Sequence, residues 1–211
     1  MKAVIFDMDG VLVDSIPVHT AIWAKLSEKY HFPFQPLSRF NGMKTMRICE
    51  EMGKITRDDP KTIFEEKQFL EAQFIVTVPF MDGAPELVHT LKGNFALGLG
   101  TSGYKIQIKR LDDRLHFLTW FSAVTTNEDV VNGKPAPDIF LKTAEKLGVA
   151  PKDCVVIEDA INGILAAKAA GMKCIALKNQ YLDPASLKKA DFAVSSLREI
   201  TPALISKLLK T

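Results

Sequence analysis

Short apolar runs alternate with amphipathic stretches along most of the chain. Six of these runs are three to five residues long and are bounded by polar or turn-forming residues. Such runs are typical of strands that are buried on both faces of a parallel sheet. They predict strands at residues 3–6, 95–99, 123–125, 155–157, 174–177 and 192–194.

The stretches between these strands have apolar side chains at helical spacing. Gly148 and Gly171 stand where two of the helices would end, and glycine is common at that position. Strands and helices that alternate in this way indicate a doubly wound, Rossmann-like α/β fold with a parallel sheet. The predicted helices lie at residues 84–92, 106–115, 138–147, 160–170 and 201–209.

Residues 15–79 interrupt the alternation. Ser15 is a candidate N-cap for the first helix of this stretch, and residues 32–36 and 41–42 are rich in loop-forming residues. Helical patterns follow one another without a competing strand pattern, at residues 17–30, 43–52 and 60–75. The sequence therefore predicts a helical domain at residues 15–79, inserted into an α/β core of residues 1–14 and 80–211.

Composition and charge narrow the function without identifying it. The 211 residues, 47% hydrophobic and 25% charged, suit one large domain or a domain with a small second one. A net charge of +2 with scattered lysines argues against a nucleic-acid partner. No apolar run approaches the ~18 residues of a membrane span, and the first run is too short for a secretory signal. The three cysteines form no CxxC pair, which favours a reducing compartment. We expect a cytoplasmic protein with no membrane partner and no obligate protein partner.

Acidic residues follow two of the predicted strands. Asp7 and Asp9 come after the first strand, and Glu158 and Asp159 come after the fourth. The carboxyl ends of parallel strands meet at one sheet edge, where ligands bind, and Mg²⁺ prefers oxygen ligands. The alternative is that these aspartates only form turns or cap helices, as Asp159 could for the helix that follows it. Acidic residues at the ends of two strands of one sheet favour a shared metal site.

Two other loops have features that suit phosphate. Thr101 and Ser102 stand between a predicted strand and a helix, where a hydroxyl group and free backbone N–H groups can bind phosphate oxygens. Lys134 lies between Gly133 and Pro135, in a stiffened loop, and could balance carboxylates or hold phosphate. Taken singly, each feature has a simpler alternative: Thr101 or Ser102 would be a helix N-cap, and most single loop lysines are surface residues.

The order of these motifs along the chain is more specific than any one of them. An Asp-x-Asp-Gly motif at residues 7–10 precedes Thr101, a Gly-Lys-Pro motif at 133–135 and a Glu-Asp pair at 158–159. In this order the chain resembles the haloacid dehalogenase-like hydrolase superfamily over nearly its whole length. The helical insertion resembles the α-helical cap of the β-phosphoglucomutase-like branch.

The resemblance implies phosphoryl transfer through a covalent intermediate. Asp7 would attack the substrate phosphorus and form an aspartyl-phosphate, which divides one difficult step into two. Asp9 would protonate the leaving oxygen and then activate water. Thr101, the Ser102 backbone N–H and Lys134 would bind the transferring phosphoryl group.

The same resemblance implies Mg²⁺ as the cofactor. The Asp7 carboxylate, the Asp9 backbone carbonyl and Asp159 would hold the ion, and Glu158 would be a water-bridged or outer partner. True dehalogenases of the superfamily lack the second acid, so Asp9 favours phosphate chemistry over carbon–halogen cleavage.

Substrate identity is expected to depend on the inserted helices. His19 and Trp23 share a helix face at i,i+4 spacing, and the resemblance implies a position near the cap hinge. Packing within the insertion is the alternative for both, and it is favoured for Trp23. Lys44 or Lys67 could meet a second anionic group, and a solvated surface position is the alternative for either. His19 and Lys44 are the candidate substrate-binding residues.

One departure from the β-phosphoglucomutase pattern concerns a second phosphate. In those mutases an arginine shortly after a loop glycine binds the second phosphate. Thr45 occupies the corresponding place here, and Arg47 lies on a different helix face. The sequence therefore predicts a phosphatase acting on a small phosphorylated metabolite, such as a sugar phosphate. A phosphosugar mutase is the alternative. The complete set of candidate catalytic residues argues against a binding protein without activity.

Overall fold

Six parallel strands form the centre of the molecule. The computed structural model describes residues 1–33 and 43–210, and its strand order is β3-β2-β1-β4-β5-β6. The predicted parallel α/β fold is confirmed, and each predicted strand agrees to within one residue at either end. The strands are β1 (Ala3–Phe6), β2 (Ala96–Gly100), β3 (Ala123–Thr125), β4 (Cys154–Glu158), β5 (Lys173–Leu177) and β6 (Phe192–Val194).

Nine α-helices occur in the described part of the chain. The predicted helices agree to within about four residues at their ends, and α8 is a four-residue helix that the sequence pattern does not predict. The helices are α1 (Ile16–Lys29), α2 (Thr45–Thr56), α3 (Pro60–Phe74), α4 (Ala84–Leu91), α5 (Lys105–Leu115), α6 (Asp138–Leu147), α7 (Ile161–Ala169), α8 (Pro184–Leu187) and α9 (Pro202–Leu208).

A separate apolar core lies on each face of the sheet. Val4 and Phe6 pack into one core with α4, α5 and α9, while Ala3 and Ile5 pack into the other with α6 and α7. Alternate residues of a strand point to opposite faces, so β1 contributes to both cores and all four of its side chains are fully buried. This double burial is the physical reason for the continuous apolar runs in the sequence.

Helices α1, α2 and α3, together called the helical segment below, form a third apolar cluster. Trp23 and Ile63 are buried in it, so packing accounts for Trp23 as expected. The two connections to the sheet lie side by side, because the Asp14 N–H donates to Pro79 O at 2.9 Å and the Met81 N–H donates to Leu12 O at 3.0 Å. That residues 15–79 form a domain of their own stays a prediction.

Local details of the helical segment differ from the prediction. Ser15 is at the N-cap position of α1, but its side chain makes no capping hydrogen bond and instead donates to Asp9. The predicted loop at residues 41–42 and part of the loop at 32–36 lie outside the described residues. No described helix is long and apolar enough to cross a membrane.

Candidate active site

The site begins where β1 and β4 end next to each other. Phe6 is paired with Ile157, and the Asp7 N–H donates to Ile157 O at 3.0 Å. The chain builds the sheet outward from β1 first on one side and then on the other, and such a switch in strand order leaves a crevice at the carboxyl ends. Asp7 and Glu158 therefore emerge side by side at that crevice, as the sequence predicts.

Lys134 contacts the acidic residues at the ends of both strands. Its Nζ lies 2.6 Å from Asp7 Oδ1 and 2.6 Å from Glu158 Oε1, and the residue is 1% exposed. Its ammonium also lies 4.7 Å from the ring centre of Phe140. Burial alone would lower the pKa of Lys134, but Asp7 and Glu158 outweigh it and raise that pKa above its usual value. The lysine is therefore a buried cation held between two carboxylates, and the surface alternative for it is wrong.

The carboxylates around Lys134 carry more negative charge than one cation balances. Burial raises the pKa of Asp7 from 3.8 to about 7; Lys134 opposes this shift, and Glu158 and Asp9 add to it. Burial, followed by repulsion from Glu158 and Asp7, raises the pKa of Asp159 well above its usual value. A further cation at this point would relieve the repulsion.

The residues present fit a divalent cation. Asp7, Glu158 and Asp159 each offer a carboxylate oxygen, and these atoms lie within 4.8 Å of one another. Glu158 is already engaged, because its Oε2 accepts from the backbone N–H groups of Asp159 and Ala160 at 2.8 Å. Asp7 and Asp159 are therefore the residues whose carboxylates can ligate a metal, and an all-oxygen set of ligands suits Mg²⁺.

Two further residues bear on the position of Asp159: Asn179, which the sequence does not predict, and Gly10, the glycine of the Asp-x-Asp-Gly motif. Asn179, which follows β5, donates to Asp159 O at 2.8 Å and to Asp159 Oδ2 at 3.0 Å. Gly10 has φ +76°, and a Cβ there would overlap the Asp159 carboxylate, so the turn after β1 requires glycine. Asp159 is not the N-cap of α7, because Ala160 occupies that position.

Asp9 points away from the acid cluster and toward the helical segment. Ser15 Oγ donates to Asp9 Oδ1 at 2.5 Å, and His19 Nε2 lies 3.4 Å from the same oxygen. Burial would raise the pKa of Asp9, but the contacts with His19 and Ser15 outweigh it and hold that pKa below its usual value. On its other side His19 Nδ1 lies 3.2 Å from Glu71 Oε1.

The loop after β2 contributes a second edge of the site. Ser102 and Gly103 line the pocket above the acids. Thr101 is fully buried, and its Oγ1 accepts a hydrogen bond from the Gly103 N–H at 2.9 Å. Thr101 is not among the lining residues, and Tyr104 rather than Thr101 or Ser102 is the N-cap of α5.

The helical segment forms the opposite wall of the pocket. That wall is partly apolar and partly polar, and its polar part includes the buried pair of Lys67 and Glu71. Lys67 Nζ lies 2.7 Å from Glu71 Oε2, with side chains 3% and 2% exposed, and Gln107 of α5 donates to the same carboxylate. The surface position expected as the alternative for Lys67 is therefore wrong. The other residues that line this side of the pocket are Ile16, His19 and Trp23 of α1, Thr45 and Ile48 of α2, and Met43 just before α2.

Lys44 lies outside the pocket, which contradicts its prediction as a substrate-binding residue in this arrangement. Its Nζ donates to the backbone oxygens of Asn127, Val130 and Val131 in the core. Thr45, at the place of the mutase arginine, does line the pocket, and Arg47 is exposed and does not.

Comparisons with known proteins agree with this geometry. A family model described as haloacid dehalogenase-like hydrolase matches residues 1–171. A fructose-1-phosphate phosphatase of Escherichia coli is 33% identical over 81% of this chain and 93% of its own length. Hexitol phosphatase A of the same organism is 32% identical over 95% of this chain and 93% of its own length.

A solved structure has the same fold over the whole length. The β-phosphoglucomutase of Clostridium difficile superimposes with a TM-score of 0.87 at 26% identity, and the match covers 100% of this chain and 97% of the other. The resemblance drawn from the motifs is thereby confirmed. The chain belongs to the haloacid dehalogenase-like hydrolase family.

Proposed function

We propose that this protein is a Mg²⁺-dependent phosphatase that hydrolyses a small phosphorylated carbohydrate through an aspartyl-phosphate on Asp7. The observation that carries the proposal is the placement of Asp7 in a crevice, 2.6 Å from a buried lysine and beside Asp159. A carboxylate nucleophile, a fixed cation and a set of oxygen ligands for a metal are what phosphoryl transfer needs in one place. The names of the two phosphatases described above support the substrate class.

In the first step an oxygen of Asp7 bonds to phosphorus, and the bond between phosphorus and the sugar oxygen breaks. Lys134 keeps a substantial fraction of Asp7 ionised at neutral pH, although burial raises the pKa of Asp7 to about 7. The leaving oxygen takes a proton from Asp9. The negative charge of the bound phosphate raises the pKa of Asp9 from its depressed value, which favours the protonated form for this step.

In the second step a water oxygen attacks phosphorus, the aspartyl oxygen leaves, and Asp9 accepts the water proton. The contacts of Asp9 with Ser15 and His19 stabilise its carboxylate, which is the form that a general base needs. Asp9 therefore ends the cycle protonated and is ready for the next substrate. Atoms and charge balance with one water consumed and one inorganic phosphate released.

Charge compensation is divided between the chain and the metal. Lys134 and the backbone of the loop at Ser102 provide donors for the phosphoryl oxygens, and Thr101 braces that loop through Gly103. Held by Asp7, Asp159 and the Asp9 backbone carbonyl, Mg²⁺ would neutralise negative charge on the transferring group.

A phosphosugar mutase is the second candidate, because the fold matches a β-phosphoglucomutase. A mutase holds a second phosphate, which calls for a cation on the pocket wall. Among the described residues that line the pocket, Lys67 is paired with Glu71 and Thr45 stands at the arginine position. These contacts favour hydrolysis.

We further propose that residues 15–79 act as a cap and that the protein works in the cytoplasm, where its three free, buried cysteines stay reduced.

Release of inorganic phosphate from a panel of hexose, hexitol, pentose and triose monophosphates tests the proposal. We expect Mg²⁺-dependent turnover of at least one of them, abolished by Asp7→Asn. If no phosphomonoester of the panel is hydrolysed faster by the wild-type protein than by Asp7→Asn, the proposal fails. Turnover that requires a sugar bisphosphate and returns a sugar monophosphate would establish the mutase instead.

A further inference from the structure

We propose that Lys44 is a positioning residue that clamps the helical segment over the pocket by binding three backbone carbonyls of the core. The clamp is a structural claim about the protein, and its kinetic consequence rests on the proposed phosphatase function. It also replaces the direct substrate contact expected for Lys44 from the sequence.

The ammonium of Lys44 is fully engaged by one stretch of the core. Its Nζ donates to Val131 O at 2.9 Å, to Val130 O at 3.0 Å and to Asn127 O at 3.4 Å. An ammonium has three donors and no acceptor, so three carbonyl oxygens use its whole capacity. Lys44 stands at the N-cap of α2, and its partners lie more than eighty residues further along the chain.

The stem of the same side chain passes directly over a glycine. A Cβ built on Gly133 would overlap the Lys44 side chain, with Cε at 2.8 Å and Cδ at 3.0 Å. Gly133 does not have a positive φ, so the obstacle to a Cβ there is the Lys44 stem, which would have to shift to make room. Gly133 immediately precedes Lys134, so Lys44 contacts the loop that carries the buried ammonium of the site.

The clamp determines where one wall of the pocket lies. Met43 and Thr45, the two neighbours of Lys44, both line the pocket. Fixing Lys44 to the core therefore fixes these two side chains above the acid cluster. Contacts elsewhere along the same junction, such as the edge-to-face pair of Phe64 and Tyr104 at 5.4 Å, do not involve α2. Because α2 packs against α1 and α3 through Ile48, Cys49 and Met52, loss of the ammonium should loosen the helical segment from the core on the α2 side while the segment itself stays folded.

Three substitutions separate the parts of the clamp. Lys44→Met keeps the aliphatic stem and removes the ammonium, and Gly133→Ala leaves the ammonium but places a methyl group under the stem. Lys44→Ala removes both stem and charge, so Gly133→Ala should have no further effect in that background. Lys54→Met, at the exposed other end of α2, is the matched control.

Kinetics of phosphate release provide the first readout. A closed state that becomes ten times less populated raises the apparent dissociation constant by the same factor. We expect Lys44→Met and Gly133→Ala each to raise KM about tenfold, with kcat within about twofold of wild type, and we expect Lys54→Met to change neither. Wild-type kinetics for a Gly133→Ala protein, or additive losses in the Lys44→Ala, Gly133→Ala double variant, would overturn the clamp.

Small-angle X-ray scattering of the protein without substrate provides the second readout and does not depend on any activity. We expect a larger radius of gyration for Lys44→Met and Gly133→Ala than for wild type and Lys54→Met. Identical scattering from all four proteins would overturn the clamp even if the phosphatase proposal holds. A scattering difference in a protein that hydrolyses no phosphomonoester would support the clamp and refute only the phosphatase.

Discussion

Replacing Lys134 with methionine removes the buried cation but keeps a side chain of similar volume. In the wild-type protein the ammonium makes two contacts of 2.6 Å, with Asp7 and Glu158, and both lysine and acids are shielded from water. The substitution leaves Asp7, Glu158 and Asp159 close together without any cation of the chain between them.

The expected loss follows from this burial. Removing one partner of a buried ion pair typically costs about 3–5 kcal/mol, because the other charge stays buried without compensation. Part of that cost is avoided when the acids take up protons, and the pKa of Asp7 is already about 7 with Lys134 present. We therefore expect a loss of about 3 kcal/mol in the free energy of unfolding at pH 8, and a clearly smaller loss at pH 5.5.

Urea-induced unfolding of metal-free protein measures this difference at both pH values. Lys142→Met is the control, because Lys142 lies on the exposed face of α6 and pairs with Glu145 at the surface, where such pairs contribute little. Added Mg²⁺ should stabilise Lys134→Met more than wild type, since the variant has the larger uncompensated negative charge.

Two results would refute this reasoning. One is a loss below about 1 kcal/mol at pH 8, which would mean that the acid cluster does not need the lysine for compensation. The other is a loss equal at pH 5.5 and pH 8, which would mean that lost packing rather than uncompensated charge causes the effect.

Three other predictions concern the acids. Relative to Asp7→Asn, the metal-free wild-type protein should lose stability as pH rises from about 4 to about 7, by up to about 4 kcal/mol, because folded Asp7 binds its proton more tightly than unfolded Asp7. Thermal unfolding in a chelator measures this difference, and equal pH slopes for the two proteins would contradict it. Asp9→Asn should lower kcat about 10²–10⁴-fold with normal unfolding in urea, and a loss confined to KM would exclude the acid–base role. Glu71→Gln leaves the buried Lys67 without its counter-charge and should lower the free energy of unfolding by about 3 kcal/mol. Glu65→Gln is the control, because its partner Lys61 is exposed. An equal loss in the two variants would show that the buried pair does not contribute to stability.

The sheet and the centre of the site could be predicted because short-range patterns determine them. A strand buried on both faces must be apolar throughout, so β1 and β4 stand out in the sequence. Polar residues directly after parallel strands then meet at one edge. This rule alone predicts that Asp7, Glu158 and Asp159 meet, and the order of the motifs adds Lys134 to them.

The wall formed by the helical segment could not be predicted in the same way. Lys67 and Glu71 are four residues apart on α3, so a pair was foreseeable, but its burial depends on how α3 docks against α5 and Gln107. The direction of Lys44 depends on the same docking. Asn179 had one usable signal, since it follows a strand at the site edge, but a lone asparagine after a strand is also a common turn residue.

The covalent aspartyl-phosphate on Asp7 is the central claim, and trapping it tests that claim most directly. Acyl phosphates are reduced by borohydride, so protein quenched during turnover of a phosphomonoester with Mg²⁺ should contain homoserine in place of Asp7. Mass spectrometry of the peptide that includes residues 3–9 reads this change. We predict the reduced residue at position 7 in wild-type protein, and a larger amount of it in Asp9→Asn, in which the intermediate forms slowly but is hydrolysed more slowly still. Rapid phosphate release with unmodified Asp7 at every quench time would contradict the account.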